Sequence, residues 1–115
     1  MSTNLVAVEP TATVAEAATL MGEHQVGSAL VLEGGRATGI FTERDILRAL
    51  ASDFDAAHHP VADWMTHDPK TVDSDAKVGT ARDMMLDGGF RHLPVVEDGE
   101  IVGIVSLRDI SRAPL

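Results

Sequence analysis

Apolar residues at Val14, Ala17, Ala18 and Met21 recur at the three- and four-residue spacing of a helix face, as do Val78, Ala81, Met84 and Met85. Thr13 is the predicted N-cap of the first helix, with Glu16 three residues on completing a capping box. Gly22 and the Gly88-Gly89 pair are expected to end the two helices. Ala29-Leu30-Val31-Leu32, then Gly34-Gly35, then Ala37 to Phe41, predict a β-hairpin. Leu93-Pro94-Val95-Val96, Asp98-Gly99 and Ile101 to Val105 predict a second, and Asp-Gly is a strong turn signal. Short extended pieces, Leu5 to Val8 and Lys70 to Val72, precede the helices. A further helix follows each hairpin, over Glu43 to Leu50 and over Leu107 to Arg112, the latter cut short by Pro114.

These two series are one unit used twice. Shifted by 64 residues, the chain aligns to itself without a gap: Val8 falls on Val72, Met21 on Met85, Val31 on Val95 and Gly35 on Gly99. Gly39-Ile40-Phe41-Thr42-Glu43-Arg44-Asp45-Ile46 falls on Gly103-Ile104-Val105-Ser106-Leu107-Arg108-Asp109-Ile110, and Met1-Ser2 on Met65-Thr66. The expected organisation is repeat one over 1–52, a polar linker over 53–60 and repeat two over 61–115. Val61, Trp64 and Met65 form a predicted helical turn leading into the second copy. Each copy reads strand, helix, strand, strand, helix, an α+β unit that is marginal alone. Two copies packed sheet to sheet with pseudo-twofold symmetry would share one core and create two equivalent clefts.

The remaining composition narrows the partners. A chain of 115 residues with 44% apolar and 23% charged residues is ordinary for a folded domain. No apolar run approaches a membrane span and the N-terminus lacks a signal pattern, so a cytoplasmic location away from the membrane is expected. The net charge of −9, with no Tyr, one Trp and three Phe, argues against nucleic acid, which rewards basic stripes and stacking platforms. Seven of the nine basic residues are Arg, suited to bidentate contacts with small anions. Without cysteine there is no disulfide, thiolate nucleophile or Cys-ligated metal.

The repeated Thr42-Glu43-Arg44-Asp45 and Ser106-Leu107-Arg108-Asp109 each follow a strand and open a helix. A hydroxyl and free amides there favour an anion, and the carboxylate beside them could accept hydrogen bonds from a ribose diol. The same residue types also serve as helix caps alone, and both readings stand. Arg91 and His92 precede a buried strand, where they could meet phosphate or form a solvated strand start. Copy one has Gly27-Ser28 at that place, so two clefts would not be equivalent. His58, His59, His67 and Asp68 supply nitrogen and oxygen ligands, but at no tight metal spacing. No nucleophile elbow, Walker loop, zinc-protease motif or dinucleotide fingerprint is present, and no enzymatic activity is expected. Met21, Met84 and Met85 are core candidates. Trp64 is expected either to pack under the linker or to sit at a subunit contact.

The duplicated unit resembles a tandem pair of CBS (cystathionine β-synthase-type) domains. Thr71-Val72, Arg91-His92-Leu93-Pro94-Val95-Val96, Gly103-Ile104-Val105-Ser106-Leu107-Arg108-Asp109 and the Met65-Thr66 lead-in carry the resemblance, over essentially the whole chain. It implies a non-catalytic regulatory module that senses AMP, ADP, ATP or another adenosyl ligand (S-adenosylmethionine, NAD) in the two clefts. Asp45 and Asp109 would hold ribose hydroxyls. Thr42 and Ser106 would contact phosphate, helped by Arg44, Arg108, Arg91 and His92, and Val8 and Thr71 would lie beside the base. No cofactor is obligatory, although magnesium could accompany ATP. Such pairs tend to form flat homodimers through their helices and to regulate an effector protein. Two alternatives remain: a structural dimerisation module with vestigial clefts, and a metal-linked switch using His58, His59 and His67.

Overall fold

The computed structural model describes residues 5–112. The first series of elements is β1 (Ala7–Val8), α1 (Val14–His24), β2 (Ser28–Glu33), β3 (Arg36–Thr42) and α2 (Glu43–Ser52). Two 3-10 turns, Phe54–His58 and Val61–Asp63, lead to β4 (Thr66–His67). The second series is β5 (Val72–Asp73), α3 (Val78–Gly88), β6 (His92–Glu97), β7 (Glu100–Ser106) and α4 (Leu107–Arg112). Two compact units divide between Pro69 and Lys70.

The hairpins form as the turn residues require. Gly34 and Gly35 (φ 59° and 78°) and Asp98 and Gly99 (φ 52° and 81°) are left-handed at both turn positions, the geometry that matches strand twist in a two-residue loop. Each hairpin carries an irregularity at the same place, between Val31 and Leu32 and between Val95 and Val96. β1 runs parallel to β2 with Val8 opposite Val31, and β5 parallel to β6 with Val72 opposite Val95. In the first unit Val14, Ala17 and Met21 of α1 pack with Ala29, Val31, Phe41 and Ala49. In the second, Ala81 and Met85 of α3 pack with Val72, Leu93, Val95 and Ile110, and Met84 lies against that cluster.

Several boundaries differ from expectation. α1 does not stop at Gly22; it continues to His24, and Gln25 takes the left-handed cap at φ 56°. Gly22 is on the exposed face with open space around its Cβ position, and one such glycine weakens a helix by only about 1 kcal/mol. Gly89 does end α3, at φ 71°. α2 runs two residues past Leu50, to Ser52. β1 is confined to Ala7–Val8, although the Leu30 N–H still donates to the Val6 carbonyl at 2.8 Å, and β5 begins at Val72 instead of Lys70.

The linker is not a loose polar joint. Ala56 and Val61 are fully buried in the first core, and Trp64 and Met65 pack against it. The Val14 N–H donates to the His59 carbonyl at 2.9 Å and the Val61 N–H to the Ala12 carbonyl at 2.8 Å. In sequence Val61, Trp64 and Met65 head the second copy; in space they belong with the first. Thr66 and His67 then pair with Ile40 and Gly39, giving the first sheet the order β1-β2-β3-β4 against β5-β6-β7 in the second. Met1 and Ser2, the counterparts of Met65 and Thr66, lie outside the described residues. Gly39 permits the crossing, since a Cβ there would lie 2.5 Å from Met65 Sδ and 3.0 Å from the Thr66 carbonyl oxygen. Gly39→Val should therefore cost about 1–3 kcal/mol in urea unfolding and raise amide exchange at Thr66 and His67, whereas unchanged exchange would mean that β4 does not depend on that close approach.

Candidate functional site at the helix starts

Hairpin register determines what meets each helix start. Ser28 lies opposite Thr42, and His92 opposite Ser106. The first amide of each following helix bonds back across the ladder, from Glu43 N–H to the Gly27 carbonyl at 3.0 Å and from Leu107 N–H to the Arg91 carbonyl at 2.8 Å. The residue before each hairpin is thus held against the helix start: an uncharged glycine in copy one, Arg91 in copy two. β7 is antiparallel to β6, so Arg91, His92 and Ser106 gather at one end of the second sheet, while Thr71 precedes β5, whose Val72 lies opposite Val95, three positions along β6.

The two carboxylates behave differently. Asp45 is 6% exposed and closes a full capping box. Its Oδ2 accepts from the Thr42 N–H at 2.9 Å and the Thr42 hydroxyl at 3.1 Å, and its own N–H donates to Thr42 Oγ1 at 3.3 Å. Arg48 Nη2 donates to Asp45 Oδ1 and to the Trp64 carbonyl, each at 3.1 Å. Both oxygens of Asp45 are engaged, and the cluster ties α2 to the turn that carries Trp64. Arg44, one residue away, is exposed. In copy two the Asp109 N–H donates to Ser106 Oγ at 3.0 Å. The Asp109 side chain is exposed, and among the described residues its carboxylate has no hydrogen bond or ion pair. Arg108 beside it in sequence and Arg91, whose carbonyl accepts from the Leu107 N–H, are exposed, as is Thr71 before β5, with His92 and Ser106 half-buried.

Val8 stands apart from this arrangement. It faces Val31, three ladder positions from the Ser28–Thr42 pair, and lines an open groove of about 630 Å³ along α1. Glu9, Glu16 and Glu23 also line that groove, a poor setting for phosphate. The histidines do not converge. His59 lies 3.6 Å from Asp53, His58 4.0 Å from Asp55, and His67 Nε2 3.1 Å from the Ala62 carbonyl oxygen. Among the described residues no three His, Asp or Glu side chains gather as metal ligands. Trp64 packs under the linker, its ring near-parallel to His59 with centroids 6.5 Å apart. Arg48 is the site residue that motif reading missed; its signal was the three-residue spacing from Asp45, repeated by Arg112 after Asp109.

The CBS domain profile matches residues 1–52 and 61–115. The chain belongs to the CBS domain family. An uncharacterised 17.7 kDa protein from Acidianus ambivalens is 46% identical over 117 residues, covering 99% of this chain and 70% of its own. The CBS domain protein PAE2072 from Pyrobaculum aerophilum, solved in complex with AMP, is 34% identical, with a TM-score of 0.84 over 95% of this chain and 85% of that one. The CBS domain pair of MJ0100, solved with 5′-methylthioadenosine and S-adenosyl-L-methionine, is 28% identical, with a TM-score of 0.85 over 97% and 89%. The α+β architecture of two CBS repeats is thereby established, and no helix among the described residues is long and apolar enough to cross a membrane.

The two CBS repeats should answer differently to the same truncation. Asp45→Ala removes the reciprocal cap and leaves Arg48 only the Trp64 carbonyl, and should cost about 2 kcal/mol in denaturant unfolding. Asp109→Ala keeps the Ser106-to-amide bond and should cost less than about 1 kcal/mol. Equal losses would show that the two caps are equivalent.

Proposed function

We propose that this CBS pair is a non-catalytic regulatory module that binds an adenosyl ligand at the helix start of its second repeat and works as a pair of copies. The observation that carries the reading is the exposed, uncommitted carboxylate of Asp109, three residues from Ser106 and at the sheet end that holds Arg91. Asp109 accepts two ribose hydroxyls. Ser106, Arg91 and Arg108 meet phosphate, with His92 beside them, and Thr71 borders the base. In the first repeat Asp45 holds its own helix, and the acidic groove beside Val8 disfavours a polyanion. Adenosine is the moiety shared by AMP, 5′-methylthioadenosine and S-adenosylmethionine, the molecules bound by the two solved relatives. AMP is the first ligand to try, because Arg91 and Arg108 favour a phosphate over the cationic sulfonium.

Thermal unfolding with AMP, ADP, ATP, S-adenosylmethionine and NAD tests this. A ligand at a hundred times its dissociation constant adds about 2.7 kcal/mol, which raises the midpoint by about 10 °C in a domain of this size. The AMP shift should vanish in Asp109→Ala and persist in Asp45→Ala. A flat panel, or a shift indifferent to Asp109→Ala, would overturn the proposal; a flat panel would favour a purely structural dimerisation module.

A further inference from the structure

Asp45 and Asp109 occupy matching places after a hydroxyl, yet among the described residues only Asp45 has an ion pair. The cap itself takes one of its oxygens. Oδ2 accepts from the Thr42 N–H at 2.9 Å and from the Thr42 hydroxyl at 3.1 Å. A carboxylate has two oxygens and about four acceptor positions, so the cap alone would leave Oδ1 open to a diol. Arg48 fills that oxygen, with Nη2 3.1 Å away. Capping is therefore compatible with binding a ribose, and it is the arginine that competes with it.

The arginine is anchored at a second point. The same Nη2 donates to the Trp64 carbonyl at 3.1 Å, so the guanidinium bridges the start of α2 and the turn that follows Val61. Its side chain is 56% exposed, against 9% for that of Asp45, so it can be shortened without opening the core. Displacing it leaves a buried carboxylate without a counter-charge, which a neutral ribose hydroxyl does not restore. The surroundings also restrict the ligand. Gly27 and Ser28 stand where the second repeat has Arg91 and His92, and Glu43 follows Thr42 where Leu107 follows Ser106. Glu43 offsets the neighbouring Arg44, so this helix start offers little net positive charge to a phosphate.

We infer that Arg48 sets how many ligands this chain takes: it withholds Asp45 from ribose, and without it the first helix start accepts an uncharged nucleoside such as adenosine or 5′-methylthioadenosine. The arginine acts as a built-in competitor for Asp45 Oδ1. Because its other bond is to the Trp64 carbonyl, a displacement of that turn releases Asp45 in the same way. The inference rests on the adenosyl reading above and adds to it a second, phosphate-free site that Arg48 holds closed.

Calorimetric titration of the full chain with adenosine tests this in an Asp109→Ala background, which removes the carboxylate of the second helix start. Adding Arg48→Met keeps the unbranched stem and loses the donors, and should tighten adenosine binding at least about tenfold. Arg48→Ala should do the same. Arg48→Lys, which keeps a cation within reach of the carboxylate, should leave the site closed. In the Arg48→Met chain adenosine should shift the amides of Thr42 to Asp45, and Asp45→Asn should abolish both signals. A staple between α2 and the turn, with no other role, would lower stability in these variants and create no binding. Circular dichroism of each variant checks that the fold is kept. If folded Arg48→Met and Arg48→Ala chains gain no binding while the wild-type chain takes AMP, the inference falls and the adenosyl reading stands. If no chain binds AMP or adenosine, both fall. Binding gained in Arg48→Met that survives Asp45→Asn would also overturn the inference.

Discussion

The register of the two hairpins is the constraint on which the rest depends. A slip of one residue would turn every side chain of a strand to the other face. It would also remove Ser28 from Thr42 and His92 from Ser106. Two-residue left-handed turns at Gly34-Gly35 and Asp98-Gly99 forbid that slip, and the matched irregularities after Val31 and Val95 reproduce the same offset in both copies. From that register follow the bonds of Glu43 and Leu107 back to Gly27 and Arg91, and so the chemistry each helix start meets.

On this shared scaffold the copies have been put to different use. The first turns inward. Its carboxylate closes its own cap, Arg48 links that cap to the Trp64 carbonyl, and β4 extends the sheet. Ala56 and Val61 bring the linker into the same core. The second keeps only the half of the cap in which the Asp109 N–H donates to Ser106 Oγ, and adds Arg91 and His92 at the hairpin start. A duplicated motif is thus a closed clamp in one place and leaves an exposed carboxylate in the other, and neighbouring side chains decide between them.

Much of the fold was legible because local chemistry and global structure agree. The Thr13–Glu16 box, the Gly-Gly and Asp-Gly turns and the spacing of Met21 and Met85 each carry their own signal. The repeat made the family resemblance specific. β4 was not legible: two residues that pair with a distant strand have no periodicity, and only the absent side chain of Gly39 hinted at a close approach. The linker looked polar because Ala56 is small among Asp and His neighbours, yet its burial, with that of Val61 just beyond, fixes the path. Gly22 resembled a stop, yet the helix continues to His24 and Gln25 takes the left-handed cap. The contrast between Asp45 and Asp109 was hidden by matching local sequence. Whether a carboxylate folds back on its cap depends on side-chain contacts such as the Arg48–Trp64 link.

The central claim is that one helix start is open to a ligand and the other is closed by its own carboxylate. The most direct measurement is an amide NMR titration of the full chain with AMP. The account predicts saturable shifts at Arg91, His92 and Ser106 to Asp109, with Thr42 to Asp45 left in place. Equal shifts at both helix starts, or shifts confined to Thr42 to Asp45, would contradict it.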